Sequence, residues 1–309
     1  MSDLFNKDTF RVVATDSGLG GMAVAAILAS RLASLRTFRK AEVVFFNCRP
    51  SESLGYDMMR SHERRTRVFS NALEAMNRTF QPDAILIACN TLSVLRDRAA
   101  GAHAPGQPPI IGIVELGVSM ISHHLRQQPD ASIIMYAAPT TVQSGVHRRS
   151  LTDLGFAPHR LAYLDCENLP AIIENGIEDG QAESLIKRLV DKSVKAAGQD
   201  HGRLTGALLC THFGFAGDLF KTAFKRHEID TAPIIDPTPQ MADDFLDKAP
   251  AGRFEATEVI LSVVSHTQLQ PKIVRSMSGM LERSSPAAAA ALRNHTIASR
   301  LFDTESSTP

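Results

Sequence analysis

The sequence has no tryptophan, three tyrosines and four cysteines in 309 residues. The cysteines stand at 48, 89, 166 and 210 with no C-x-x-C among them. That spacing argues against a zinc knuckle or a thioredoxin-type dithiol, and in a reducing compartment it argues against disulfides. No apolar run approaches the ~20 residues that a membrane-spanning helix needs. Neither charge is in excess, with 33 Lys+Arg against 33 Asp+Glu. The balance gives no reason to expect a nucleic acid or a membrane surface as partner. The opening residues, MSDLFNKDTF, have neither a basic region nor an apolar core. No secretory signal is read there, and the cytoplasm is the expected compartment.

What the chain does have is an ordinary globular composition, 44% hydrophobic and 21% charged, and a length suited to two domains. Short apolar runs alternate with helical periodicity along it. Strands are expected at 11–15, 42–48, 84–88, 110–114, 132–138, 160–166, 207–209, 233–235 and 258–265. The intervening helices are expected at about 22–35, 57–79, 140–154, 169–174, 181–197, 238–249, 268–281 and 286–301. This alternation predicts an α/β protein with parallel sheets. Because the pattern restarts near residue 132, it predicts two like domains, each a sheet flanked by helices.

Two cysteines fall where a strand hands over to a helix. Ala84 to Ala88 runs into Cys89-Asn90-Thr91, and Ala207 to Leu209 runs into Cys210-Thr211-His212. In open parallel sheets the carboxyl ends of the strands are where ligands bind. A helix start and nearby donors would favour the thiolate form of such a cysteine. His212 could hold or shuttle a proton for Cys210. Asp16 ends another strand at the same sheet edge and could orient or polarise Cys89. The Gly18 to Gly21 turn that follows Asp16 is a weak dinucleotide pattern with the wrong spacing. Its glycines are expected to supply positive φ and close backbone approach.

Two thiols facing one small molecule, with no disulfide between them, suit proton exchange at carbon from both sides. One thiolate removes the α-proton, the opposite thiol delivers another, and the stereocentre inverts. Nothing in the sequence argues for pyridoxal phosphate, so no cofactor and no metal are expected. The carbanion would be stabilised by the site itself.

Seven motifs stand in order: DSGLGG (16–21), ACNT (88–91), GIVELGV (112–118), TTVQSG (140–145), CENLPAIIENG (166–176), LLCTH (208–212) and IIDP (234–237). Together they resemble the cofactor-independent aspartate/glutamate racemase superfamily, most closely its glutamate racemases, over about residues 10–244. The resemblance implies two pseudo-symmetric α/β domains with the active site in the cleft between them. Residues 1–114 with 228–309 would form the first domain and 115–227 the second. It implies Cys89 and Cys210 as the acid/base pair, Asp16 assisting Cys89, and His212 and Glu174 assisting Cys210. Ser17, Asn90, Thr91, Thr141 and Thr211 would bind the substrate's amino and carboxylate groups, with Tyr56 a further contact from the 49–57 loop. The activity implied is interconversion of L- and D-glutamate, a D-amino acid used in peptidoglycan precursors.

The catalytic motifs match while the specificity segments drift. The family's Pro-Tyr-Gly run is replaced here by CRPSESLGYD, Ala138 stands where a threonine is common, and Phe213-Gly214-Phe215 follows the second thiol. Three alternatives therefore stay open: another amino acid or dicarboxylate, an isomerase or decarboxylase reaction, and a non-catalytic amino-acid-binding protein on the same fold. The partner expected is a small amino-acid or dicarboxylate substrate. A homodimer is the assembly to test, with the C-terminal helices as its contact.

Overall fold

A computed structural model describes residues 2–59, 61–99, 107–197, 204–227 and 234–304. The chain divides into two compact units, Met1–Ile113 with Thr238–Pro309, and Val114–Pro237. The expected boundary at 228 lies outside the described residues, as does Arg60 near the start of the expected 57–79 helix.

The first unit holds a parallel sheet of β1 (Thr9–Asp16), β2 (Lys40–Asn47), β3 (Ala84–Ile87), β4 (Ile110–Gly112), β9 (Glu258–Ser265) and β10 (Thr296–Ile297). Their order across the sheet is β10-β9-β2-β1-β3-β4. β1 is central, and its apolar residues are buried on both faces, as parallel strands between helical layers require. On one face Val13, Val44, Phe46, Ile85 and Ile87 pack with Val68, Phe69, Leu73 and Met76 of helix α2 (His62–Phe80). Alternation along the strands sends Val12, Ala14, Val43 and Phe45 to the other face, where they are equally buried. Helix α1 (Met22–Leu35) lies against β2 and β9.

The second unit repeats this plan. Its strands β5 (Ser132–Ala137), β6 (Leu161–Asp165), β7 (Leu204–Leu209) and β8 (Ile234–Ile235) are parallel, in the order β6-β5-β7-β8. That is the same winding as β2-β1-β3-β4. Val118, Ile121 and Leu125 of helix α4 (Ile113–Gln127) cover one face with Ile133, Met135 and Leu209. On the other, Tyr136 meets Phe220 and Phe224 edge-on and its hydroxyl pairs with Ser193 at 2.7 Å. Gly206 leaves room for Phe224, whose ring lies 3.0 Å from where a Cβ would be.

Several expected elements are trimmed by local chemistry. The long helix begins at His62 rather than Asp57, because Ser61 caps it by accepting the Arg64 N–H at 3.3 Å. Tyr56–Met58 form a separate 3-10 turn. The expected strand 110–114 ends at Gly112, where α4 begins. The 140–154 helix is two helices, α5 (Pro139–Ser144) and α6 (Val146–Asp153), broken where Gly145 adopts a φ of 61°. The last expected helix, 286–301, stops at Arg293 and gives way to β10. The C-terminal helices α11 (Pro271–Glu282) and α12 (Pro286–Arg293) pack on each other, and α12 packs on β9 of its own sheet. Among the described residues no helix is long and apolar enough to cross a membrane.

His147 of α6 is fully buried, with Nδ1 3.1 Å from the Tyr163 hydroxyl. Burial disfavours its imidazolium and pushes its pKa down to about 3. An unfolded chain protonates this ring near pH 6.5, so stability is complete above that value and is lost as pH falls towards 3. At pH 4.5 this linkage amounts to about 2–3 kcal/mol. Denaturant melts at pH 7 and 4.5 are expected to show that loss, and His147→Gln to abolish the part due to this ring.

Candidate active site

In both units the chain leaves the central strand to one side and returns on the other. From β1 it goes to β2 and then across to β3, and from β5 to β6 and then across to β7. The crevices at these two switch points, β1/β3 and β5/β7, are where an open parallel sheet binds ligands. Cys89 lies two residues past β3 and Cys210 one residue past β7. Each thiol therefore stands at the switch point of its own sheet.

In the first unit Asp16 ends β1 and is 1% exposed. Its carboxyl oxygens accept the backbone N–H of Gly18 at 3.2 Å and of Gly21 at 2.7 Å. A Cβ on Gly21 would lie 2.9 Å from Asp16 Oδ2 and 3.0 Å from Ala88 Cβ. Close approach is thus the reason for that glycine. Positive φ is not, since Gly21 has φ −66° and neither Gly18 nor Gly20 is among the left-handed glycines. Ser17 places its hydroxyl 3.3 Å from Cys89 Sγ and 3.5 Å from Asp16 Oδ1, so the hydroxyl stands between thiol and carboxyl.

The expectation that a helix start would favour a Cys89 thiolate does not hold. Cys89 is 7% exposed and precedes only the two-turn helix α3 (Asn90–Arg96). Burial, followed by the nearby Asp16 charge, pushes its thiol well above the usual range, outweighing the Ser17 and Leu92 hydrogen bonds. Asn90 and Thr91 are buried beside it, and Asn90 Oδ1 has no hydrogen-bond partner among the described residues. Tyr56 is 1% exposed and packs with Cys48, Met59 and Cys89 in the core below the site.

In the second unit Cys210 is half-buried, with Sγ 3.7 Å from His212 Nδ1. His212 Nε2 lies 2.8 Å from Glu174 Oε1. Glu174 comes from helix α7 (Leu169–Asn175), which Gly176 terminates with a φ of 123°. Burial alone would lower the His212 pKa. The Cys210 and Glu174 partners outweigh it and hold the imidazole well above its ordinary value. The result is a thiol–imidazole–carboxylate series, in which a carboxylate fixes the ring and stabilises its charged form. Thr141 and Thr211, at the same sheet edge, are buried.

The structure thus brings Asp16, Ser17, Cys89, Asn90, Thr91 and Tyr56 together in one unit, and Thr141, Glu174, Cys210, Thr211 and His212 in the other. Among the described residues no group of three or more His, Cys, Asp or Glu could hold a metal ion. The remaining two cysteines, Cys48 and Cys166, carry no role expected from sequence. Cys48 follows β2 and donates both its N–H (2.9 Å) and its thiol (3.3 Å) to the Asp16 carbonyl. Cys166 follows β6 and donates its N–H to Ala137 at 2.9 Å. Their signal lay in the repeat, since each closes the strand beside the central one.

Gly21→Ala is expected to destabilise the protein by about 1–3 kcal/mol through overpacking against Asp16, read by denaturant melts. Glu174→Gln is expected to bring the His212 titration down towards the ordinary histidine range in imidazole-resolved NMR. Because the folded pKa is raised, His212 contributes stability that is complete below about pH 6.5 and is lost as pH rises through the folded value. The substitution should narrow that window from its alkaline side.

Three solved glutamate racemases share this fold. The enzyme from Campylobacter jejuni subsp. jejuni aligns with a TM-score of 0.64 at 19% identity, over 89% of this chain and 97% of its own. An isoform from Bacillus anthracis gives 0.65 at 18%, over 94% and 97%. That from Thermus thermophilus, in complex with beta-chloro-D-alanine, gives 0.63 at 18%, over 89% and 94%. No curated protein sequence matches the chain significantly. The family model described as Asp/Glu/Hydantoin racemase matches residues 24–239. With most of its length inside that match, including both thiols at their switch points, the chain belongs to the Asp/Glu/hydantoin racemase family.

Proposed function

We propose that this protein is a cofactor-independent racemase of a small acidic amino acid, with glutamate the first candidate. The observation that carries the reading is the paired placement of Cys89 and Cys210 at equivalent switch points, each with its own proton partner. One thiolate takes the proton from Cα, leaving its electron pair on carbon as a carbanion. The other thiol then gives its proton to the opposite face of that carbon and becomes the thiolate. The two sulfurs exchange protonation states, and proton exchange with solvent, or a turnover in the reverse direction, restores them. His212, held by Glu174, manages the Cys210 proton, while Ser17 and Asp16 do so for Cys89. Asn90, Thr91, Thr141 and Thr211 are the groups for the substrate's ammonium and carboxylate. Asn90 Oδ1, an open acceptor, suits the ammonium.

A second reading keeps the reaction and changes the substrate. Arg49, the one cation of loop 49–57, turns back to the Ser51 and Glu52 carbonyls at 3.2 and 3.5 Å. That commits two of its donors to the loop's own carbonyls and favours an amino acid without an acidic side chain.

Cys89→Ala and Cys210→Ala are each expected to abolish racemisation. Proton NMR in heavy water, across glutamate, aspartate and related acids, tests reaction and substrate together. Deuterium entering Cα of one substrate identifies both. Each Cys→Ser variant should lose that exchange more severely with one enantiomer, since each thiol serves one face. Silence across the panel would favour a binding protein on this fold.

A further inference from the structure

The C-terminal segment supplies β9, which pairs with β2 over eight residues, ending at Asn47 opposite Ser265. Beyond that pair both chains stay tied. His266 donates its N–H to the Asn47 carbonyl at 3.0 Å. The Ser265 hydroxyl donates to the Thr267 carbonyl at 2.6 Å, which leaves its lone pairs for Asn47 Nδ2 at 3.1 Å. The other end of the same carboxamide, Oδ1, accepts the Arg49 N–H at 3.1 Å. From Arg49 the bonds continue into the loop. Its guanidinium holds the Ser51 carbonyl, and Ser51 Oγ accepts the Leu54 N–H at 2.9 Å. Two residues on, Tyr56 enters the core beside Cys89.

Asn47 and Ser265 are 1% and 0% exposed, so neither group can exchange its partner for bulk water. The carboxamide has one end on the C-terminal strand and the other on the 49–56 loop. It sits at the carboxyl edge of the sheet, the edge that carries Asp16 and Cys89. Past the strand end, His266 lies against the Phe302 ring, 3.9 Å between centroids and tilted by 31°, which holds the segment down.

We propose that Asn47 and Ser265 are positioning residues through which the C-terminal strand fixes the 49–56 loop, and so the wall that the substrate's side chain meets. As far as it concerns substrate, this rests on the racemase reading above. Its anchoring half does not.

The test compares wild type with Asn47→Ala, Ser265→Ala and Ser265→Thr by hydrogen–deuterium exchange and by steady-state kinetics on the amino acid that exchanges its α-proton. Loss of the bond is expected to speed exchange in residues 48–58 about tenfold, with β1 and α2 unchanged. KM is expected to rise about tenfold while kcat stays within about threefold, and Ser265→Thr to restore both. Wild-type exchange in 48–58, an unchanged KM, or faster exchange throughout the unit with a lowered melting temperature would each overturn the proposal. If Asn47→Ala does not fold, Ser265→Ala, which removes one hydroxyl, decides alone. A wild type that turns over no amino acid would defeat the racemase reading, and the exchange data would still settle the anchoring.

Discussion

A carboxyl group at the end of the central strand, taken almost completely out of water, constrains everything around it. Asp16 can sit there only because its oxygens find backbone donors, and those donors exist only because the next turn is tight enough to aim the Gly18 and Gly21 amides back at it. The tightness excludes a side chain at Gly21. The same residue's carbonyl receives two donors from Cys48, so β2 cannot shift without breaking them. Through Ser17 the carboxyl is linked to Cys89. One buried acid thus sets the shape of the glycine turn, the alignment of β1 with β2 and the surroundings of the first thiol.

The second unit reaches an equivalent arrangement with different parts. Ala137 stands where the first unit has Asp16, and the charge comes instead from Glu174 on a helix, acting through an imidazole. Position is repeated and chemistry is not. The winding of four strands places a sulfur past the third strand in either sheet, and local residues then decide how its proton is managed.

Much of this was legible in the sequence, for physical reasons. Strand–helix alternation with fully apolar short runs has few folded solutions other than parallel sheets between helices, and Cys89 and Cys210 declare themselves because they interrupt such runs. Helix ends were harder, since they depend on one capping residue or one glycine. Ser61 and Gly145 each moved an expected boundary without disturbing periodicity. The helix start beside Cys89 is visible in sequence, whereas the depth of burial and the nearby Asp16 charge, which raise its thiol, become visible only on folding. Glu174 looks like helix surface until the fold buries it against His212. The C-terminal strand shows in its own apolar run, but its place beside β2 depends on pairing across more than two hundred residues, which no local pattern reports.

The unlike environments of the two thiols meet a limit set by thermodynamics. Mirror-image amino acids have equal free energy in water, so the equilibrium constant of the proposed inversion is one. The ratio of kcat/KM for the two hands is then also one, whatever the half-sites contain. A hydroxyl and carboxyl beside one sulfur, and an imidazole and carboxylate beside the other, can therefore give the two hands different kcat values only with a matching difference in KM. The chemical lopsidedness of the fold is confined to how long each enantiomer stays bound and which protonated form accumulates during turnover.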